Sequence, residues 1–506
     1  MIRILSMFLV ISLFLLSSCN KLDQYWKKNP QGSHEDPSSF QEIGSIDIGD
    51  LGAAEISTFD PKTNRLFVVN NAGINKIDVI DFSNPAAMVV IHSIDLAKYN
   101  GAVNSVDVHD GMLAAAIEAA DKQDNGVVAV FNTSTYAEIK VIPVGALPDM
   151  ITFSPDGKYI LTANEGEPNT EYTNDPNGTV SIIDVKNSFA VVNLDFSAFA
   201  SQADQLKSKG LRIYGPGASF AQDIEPEYVT ISKNSKTAWV TLQENNAIAK
   251  IDLASKTIST IFPLGFKDYN LNANAIDPSD RDDQVGTFRS VPVFGMYEPD
   301  AIAVLEKHGV PFLFTANEGD AREYDAFAEV ERIKDVMLDD AVFPDFATLQ
   351  LDENLGRLNI TTTLGDDNND DHFEKLYSLG ARSFSVWNGD DGKLLFDSKN
   401  YLEKEVVAAG MYDDGRSDDK GVEPEGIAIG EINNDPYAFV GMERADAVAI
   451  YDISNPLQPG FVKVMATGDA PEGVLFIAAK ESPVKRSLLV VSSENDGVIK
   501  VYAPVN

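Results

Sequence analysis

The chain has 506 residues, with 77 Asp and Glu against 40 Lys and Arg, a formal net charge of −37 and one cysteine. That charge surplus repels nucleic acid and anionic lipid and attracts cations, which excludes a nucleic-acid partner. A single cysteine excludes an internal disulfide, so a chain with 44% hydrophobic residues must be held by a packed core.

Residues 1–18 read as a lipoprotein signal peptide. Arg3 supplies the basic start, residues 4–16 are an apolar run short of the about 20 residues a bilayer span needs, and Leu16-Ser17-Ser18-Cys19 is a cleavage site. Cys19 is then the lipidation site that anchors an exported protein to the membrane at the cell envelope or cell surface. A secretory signal that merely ends in cysteine is the competing reading. Residues 19–39, which include NKLDQYWKKNPQGSHEDPSS, are polar and without periodicity, and read as a tether.

From residue 40 onward one pattern recurs. An acid, usually after proline, opens a short apolar strand; a turn leads to a second strand that often ends in Glu, and a third strand follows. Glu55 opens ISTFDPKTNRLFVVNN and Asp107 opens VHDGMLAAAIEA as looser copies. Asp149 opens ITFSPDGKYILTANEG, Glu227 opens YVTISKNSKTAWVTLQEN, and Asp300 opens AIAVLEKHGVPFLFTANEG. Glu425 opens GIAIGEINNDPYAFVGMER and Glu472 opens GVLFIAAKESPVKRSLLVVSSEN, which makes seven copies. Turn residues such as Pro155-Asp156-Gly157 separate the strands, as hairpins require.

The expected fold for residues 40–506 is all-β: a seven-bladed β-propeller with a loop and helix insertion over 319–380 on one face. The last copy carries three strands, whereas residues 40–49 (FQEIGSIDIG) form a strand with no copy of their own. The N-terminal strand is therefore expected to close the last blade and remove a free edge. Two stacked β-sandwiches are the alternative. In a propeller the first strand of each blade lines the axis, and the loops entering it share a face with those between the second and third strands. Residues 186–224, 262–297, 319–380 and 398–422 all fall in such loops. Phe327, Val330, Ile333 and Met337 predict a helix over 324–337.

The same geometry gathers acids at the mouth of the channel: Glu55, Asp107, Asp149, Glu227, Asp300, Glu425 and Glu472 from first strands, and Glu165, Glu244, Glu318, Glu443 and Glu494 from second-strand ends, with Asp320 beside Glu318. Two like charges about 4 Å apart repel by about 4 kcal/mol at an effective dielectric of 20. Raised pKa values can relieve one or two, and bound cations are expected for the rest. The opposing reading makes these acids ties that accept neighbouring backbone N–H groups; it is weakest where acids double up, as in Asn164-Glu165-Gly166-Glu167 and Asn317-Glu318-Gly319-Asp320. The five histidines do not recur within the copies, so oxygen-only ligation favours Ca²⁺, with a second divalent or trivalent metal as a further expectation.

A second acidic stretch, Gly365-Asp366-Asp367-Asn368-Asn369-Asp370-Asp371-His372-Phe373-Glu374, places Asp366, Asn368, Asp370 and Glu374 at ligand positions of a Ca²⁺ loop. Asp371 stands where an EF-hand has its sharp-turn glycine, and a solvated acidic loop is the plain alternative. On the same face Arg322, Arg382, Arg416 and Lys420 are candidates to orient phosphoryl oxygens, or to dilute the acidic ring. Any hydrolysis would use a metal-activated water, since no nucleophile triad or phosphate-cradling glycine loop is evident.

LPDMITFSPDGKYILTANEGEPN, EPDAIAV with FTANEGDAREYD, LYSLGARSFSVWN and RSDDKGVEPEG together resemble the choice-of-anchor I family of secreted propellers over most of residues 50–505. That group resembles mesenchyme-specific cell-surface glycoproteins and includes proteins described as atypical alkaline phosphatases. The resemblance implies an extracellular, Ca²⁺-associated propeller and, for some members, phosphomonoester hydrolysis. By position it carries over Asn164, Glu165, Asn317, Glu318, Asp320, Arg322, Arg382, Arg416, Asp418, Asp419, Lys420, Glu423 and Glu425. Val422 departs from the proline the pattern leads one to expect. The leading functional expectation is a surface-anchored Ca²⁺-dependent phosphoesterase of the atypical alkaline phosphatase type, acting on a phosphate ester. The alternative is a non-catalytic Ca²⁺-binding surface protein for mineral, glycan or protein ligands. A monomer is expected.

Overall fold

The computed structural model describes residues 34–505. The signal peptide and Cys19 lie outside them, as does most of the tether. The last six tether residues are docked rather than free: Glu35 is 6% exposed and accepts hydrogen bonds from the backbone N and hydroxyl of Ser487, and Pro37–Ser39 form a 3₁₀ turn.

The fold is all-β and of the propeller type. Among the described residues there are seven four-stranded sheets, each strand antiparallel to its neighbour. Their first strands, in chain order, are Ser57–Asp60, Val103–His109, Pro148–Phe153, Pro226–Ile231, Ile302–Lys307, Pro424–Ile432 and Pro471–Ile477. In six sheets the strands follow chain order, and the fourth strand of the seventh is Phe40–Asp47, paired to Val498–Pro504. Second strands such as Tyr159–Asn164 are buried throughout, because both of their faces are covered by neighbouring sheets.

The core lies between sheets rather than within one. Leu161, Ile182, Val229 and Val240 join the third sheet to the fourth; Phe314, Phe384, Val440 and Ala449 join the fifth to the sixth. Each such side chain contributes about 1.5–3 kcal/mol on burial. The long connections extend these cores: Phe199, Leu206 and Phe220 cover the third and fourth sheets, and Leu402 and Val406 of the helix Tyr401–Ala409 cover the fifth and sixth. Residues 262–297 and 319–380 share a core of their own around Tyr269, Ile276, Ile333 and Phe373.

The helix expected over 324–337 is absent. Glu323–Tyr324 pairs with Phe327–Ala328, Val330–Arg332 pairs with Asn359–Thr361, and a 3₁₀ turn, Ile333–Asp335, follows. The apolar spacing misled because its members do not share a face: Ile333 is fully buried, whereas Met337 is 55% exposed. The insertion leaves and rejoins the fifth sheet through Gly319 and Gly380, whose φ values are +89° and +67°. A Cβ on Gly319 would meet the Gly380 nitrogen at 2.2 Å, so only glycines let the two ends cross here.

Candidate functional site

The acids are aimed by a shared backbone device. Asp149, Glu227, Asp300, Glu425 and Glu472 each follow a proline. In the third, fourth, sixth and seventh sheets the pairing register slips immediately after that proline, and the irregularity turns the acid out of the ladder. Leu147, Glu298, Glu423 and Ala470, each just before its proline, have φ of 48°, 39°, 48° and 55°. A non-glycine residue held in this left-handed region stores about 1–2 kcal/mol. The carbonyls of Leu147, Glu423 and Ala470 accept the N–H groups of Glu165, Glu443 and Glu494 at 2.9–3.0 Å. The strained residue thus ties the first-strand acid to the second-strand acid of its own sheet.

Two triads result, built to one rule: both acids of one sheet and the first acid of the next. Asp149, Glu165 and Glu227 each offer an oxygen within 4.8 Å of the others, as do Asp300, Glu318 and Glu425. Both triads border a cavity of about 260 Å³, lined also by Asp320 and Glu472. No Lys or Arg forms an ion pair with Asp149, Glu165 or Glu227 among the described residues. Burial, then repulsion from Glu167, pushes the Asp149 carboxyl up to about 7. Glu165 and Glu227 are pushed well above the usual carboxylate range by burial and by their neighbours. Burial and Glu318 do the same to Asp300 and Glu425, while Asp320 rises to about 6. Glu472 is raised by burial and then by Glu55 and Glu494, and Glu55 reaches about 8 although Asn71 donates to both of its oxygens.

A third group, Glu318, Glu423 and Glu443, is filled by the protein's own cations. Lys420 Nζ lies 2.9 Å from Glu318, 2.6 Å from the Gly319 carbonyl and 3.2 Å from Glu423. Arg416 reaches Glu423 at 2.6 Å and Asp419 at 2.8 Å, and Arg444 reaches Glu443 at 2.9 Å.

Several expectations are corrected. Asp107 is not at the mouth: it is half-buried and accepts the backbone N–H of Phe153 at 2.7 Å, a tie between the second and third sheets. Asn104, which lines the cavity, occupies the mouth position instead. Glu244 is likewise one residue late. Gln243 lines the cavity and donates to Glu318 at 3.0 Å, while Glu244 is 7% exposed beside Glu225. Arg322 cannot meet a phosphoryl group: it is 2% exposed, and every guanidinium nitrogen is engaged by Asp223 or Glu225. Arg382 is 1% exposed and donates to the carbonyls of Asp277, Ser417 and Asp419. Asn164 and Asn317 are buried and hold hydroxyls of the third strand, at Ser181 and at Ser383 and Ser385. Asp418 is taken up by Arg332 and Arg357.

Asp366, Asp370 and Glu374 do come together, one oxygen each within 4.8 Å. Asn368 donates its side-chain amide to Glu374. Asp371 adopts φ of 66°, so it takes the left-handed turn in which glycine was missed, a conformation Asp tolerates better than most residues.

The sequence reading overlooked a buried layer behind the mouth. Arg212 pairs with Glu298 at 2.6 Å and with Glu329, and the Tyr214 ring lies between two guanidinium groups, 4.1 Å from Arg212 and 4.5 Å from Arg322. The available signal was the repeated Glu-Pro-acid at 225–227, 298–300 and 423–425. The leading Glu of each is at most 1% exposed and holds Arg322, Arg212 or Arg416.

Among the described residues no helix is long and apolar enough to cross a membrane. The chain is 28% identical over 189 residues to gigasin-3a of Magallana gigas, covering 31% of this chain and 66% of that protein. It is 26% identical over 324 residues to a mesenchyme-specific cell surface glycoprotein of Strongylocentrotus purpuratus, covering 53% of this chain and 41% of that protein. The chain thus spans less than two thirds of the length of either curated relative. Among solved structures it is similar to a chain of the Kuenenia stuttgartiensis hydrazine synthase, with TM-score 0.49, 15% identity, and coverage of 94% and 98% of the two chains. It is also similar to the Myceliophteria thermophila Cps50 (Swd1) β-propeller domain, with TM-score 0.45, 8% identity, and coverage of 92% and 100%. The family model of the choice-of-anchor I domain matches residues 55–456, well over half of the chain, and the chain belongs to that family.

Proposed function

We propose that this protein is a surface-located, hard-cation-binding propeller whose mouth binds Ca²⁺ and presents it to an oxyanionic ligand. The observation that carries this reading is the pair of triads, Asp149/Glu165/Glu227 and Asp300/Glu318/Glu425, which border one cavity: the first has no ion pair to Lys or Arg among the described residues, and the second has only Lys420 at Glu318. An all-oxygen donor set at that spacing fits Ca²⁺ better than zinc. The loop at Asp366, Asp370 and Glu374 is a further, more exposed seat of the same chemistry.

The scaffold reading supports this placement. We infer that the seven sheets are blades of a ring: their first strands neighbour one another in chain order, and Pro471–Ile477 lies beside Ser57–Asp60. Phe40–Asp47 would then complete the last blade and close the ring. A surface location agrees with the printed name of the sea-urchin relative and with the export signal; Cys19 would be the anchor.

Phosphate-ester hydrolysis is the second reading, favoured by Lys420 and Arg416 at the edge of the second triad, where they could orient phosphoryl oxygens beside a bound cation. Metal content of the purified protein and turnover of a chromogenic phosphate monoester at alkaline pH test the two together. Bound Ca²⁺ lost in Glu165→Gln and Glu318→Gln variants is expected. A folded protein without bound cation overturns both readings, and a Ca²⁺-loaded protein without turnover leaves only the first.

A further inference from the structure

The chain enters the fold at the end of the strands opposite the mouth. Phe40–Asp47 starts there: Phe40 pairs with Pro504, whereas Asp47, at the far end, lies in register with Val498, Ser493 and Pro471. Glu35, 6% exposed, pins the segment just before that strand. Its backbone N–H donates to Asn433 Oδ1 at 3.1 Å and its carbonyl accepts from Asn433 Nδ2 at 2.6 Å. Its carboxylate accepts the Ser487 N–H at 2.8 Å and the Ser487 hydroxyl at 2.6 Å. Asn433 lies in the turn after Pro424–Ile432, whose second residue, Glu425, lines the cavity; Ser487 ends the turn after Pro471–Ile477, whose second residue, Glu472, lines it too. The pinned segment and the mouth acids thus sit at opposite ends of the same strands, roughly 20 Å apart at about 3.3 Å per residue.

Charge divides between the same two ends. Exposed Lys62, Lys233, Lys236, Lys480 and Lys485 stand on turns of the pinned end, two of them paired with Asp110 and Glu481, whereas the mouth end carries the triads and the acidic loop 366–374. An anionic headgroup layer repels the first end far less than the second. A chain as long as residues 20–33, between Cys19 and His34, reaches about 50 Å fully extended and spans roughly 20 Å as a coil. Bringing the mouth to the bilayer would draw it out along the strands and past the insertion 319–380; resting the pinned end there draws out nothing. We propose that the anchored protein stands with its pinned end on the bilayer and its mouth pointing away, so that the mouth serves ligands of the surrounding medium and not headgroups of the membrane that carries it. This rests on the reading of Cys19 as the anchor and is independent of whether the mouth holds a cation.

The test uses the exported, lipid-modified full chain in vesicles of phosphatidylcholine and phosphatidylglycerol that carry an acceptor dye on their headgroups. Lipidation consumes the thiol of Cys19, the one cysteine of the chain, so Lys480→Cys on the pinned end and Asp325→Cys in the insertion each take a single donor dye. Both positions are exposed, and neither substitution touches the core. Energy transfer to the vesicle is expected to be several-fold stronger from position 480 than from position 325. Equal transfer from both, or stronger transfer from 325, overturns the proposal and leaves the anchor in place. A chain recovered without lipid on Cys19 overturns the anchor reading and this proposal with it.

Discussion

Lys420 Nζ stands 2.9 Å from Glu318 Oε1, so an internal cation occupies one side of a carboxylate that also belongs to the second mouth triad. Glu318 is the hinge between a group neutralised by the protein's own bases and a group that faces the cavity. Lys420→Met is expected to destabilise the cation-free protein by about 3 kcal/mol, since it takes one cation from the fully buried Glu423 and the base from the half-buried Glu318. Saturating Ca²⁺ should recover most of that loss, because the freed Glu318 becomes a stronger ligand. Thermal melts with and without Ca²⁺ check this; an equal loss in both conditions contradicts it.

Glu227→Gln removes one of three mutually repelling charges while keeping the shape of the side chain. In chelator at alkaline pH, where the raised carboxyls are driven to ionise, the variant should be more stable than wild type by about 2 kcal/mol, the scale of one relieved like-charge contact at intermediate dielectric. Its Ca²⁺ affinity should fall roughly tenfold or more, about 1.4 kcal/mol or above. Calorimetric titration and melts in chelator read the two effects separately, and opposite signs are the signature.

The pH dependence has a definite sign. Folding raises Asp149 and Glu443 to about 7 and Glu55 to about 8, so between the ordinary carboxylate range and those values the folded chain binds more protons than the unfolded one. The associated stability is fully present at low pH and is lost as pH rises through about 7 to 8. Metal-free protein should therefore melt at falling temperature from about pH 5 to about pH 9, with the decline suppressed by Ca²⁺. A flat profile in chelator would mean that these carboxyls are neither buried nor crowded as the fold places them.

How much of this was legible in sequence follows from which facts are local. Alternation and turns such as Pro155-Asp156-Gly157 mark strands and hairpins because those patterns need only near neighbours. The phase of an acid within its strand is not local. Asp107 and Glu244 fit the pattern, yet register puts Asn104 and Gln243 at the cavity. The fate of the arginines was less legible still, since Arg322 is claimed by Asp223 and Glu225, about a hundred residues earlier.

Ala470 carries the strain with the least packing to lose, at φ of 55° in a residue whose side chain is one methyl. Ala470→Gly is expected to be neutral or to stabilise by up to about 1 kcal/mol, where the same change in an ordinary strand costs about that much. Denaturant unfolding of this single variant checks whether the left-handed residue before Pro471 is held against its preference.

Arg322 separates a buried structural base from one that touches a ligand. Its guanidinium fork is shared between Asp223 and Glu225 and stacks on Tyr214, so Arg322→Met should cost about 3–5 kcal/mol by leaving two carboxylates buried without a partner. Arg322→Lys should restore little of it, because an ammonium group cannot hold both acids and stack on the ring as well. Ca²⁺ bound per folded molecule should stay at the wild-type value in both variants, since the triads draw no ligand from Arg322. Stability and metal content measured on the same samples decide the matter: a loss of bound cation without a loss of stability would place Arg322 at the ligand after all, and would mean that Asp223 and Glu225 find other partners when the mouth is loaded.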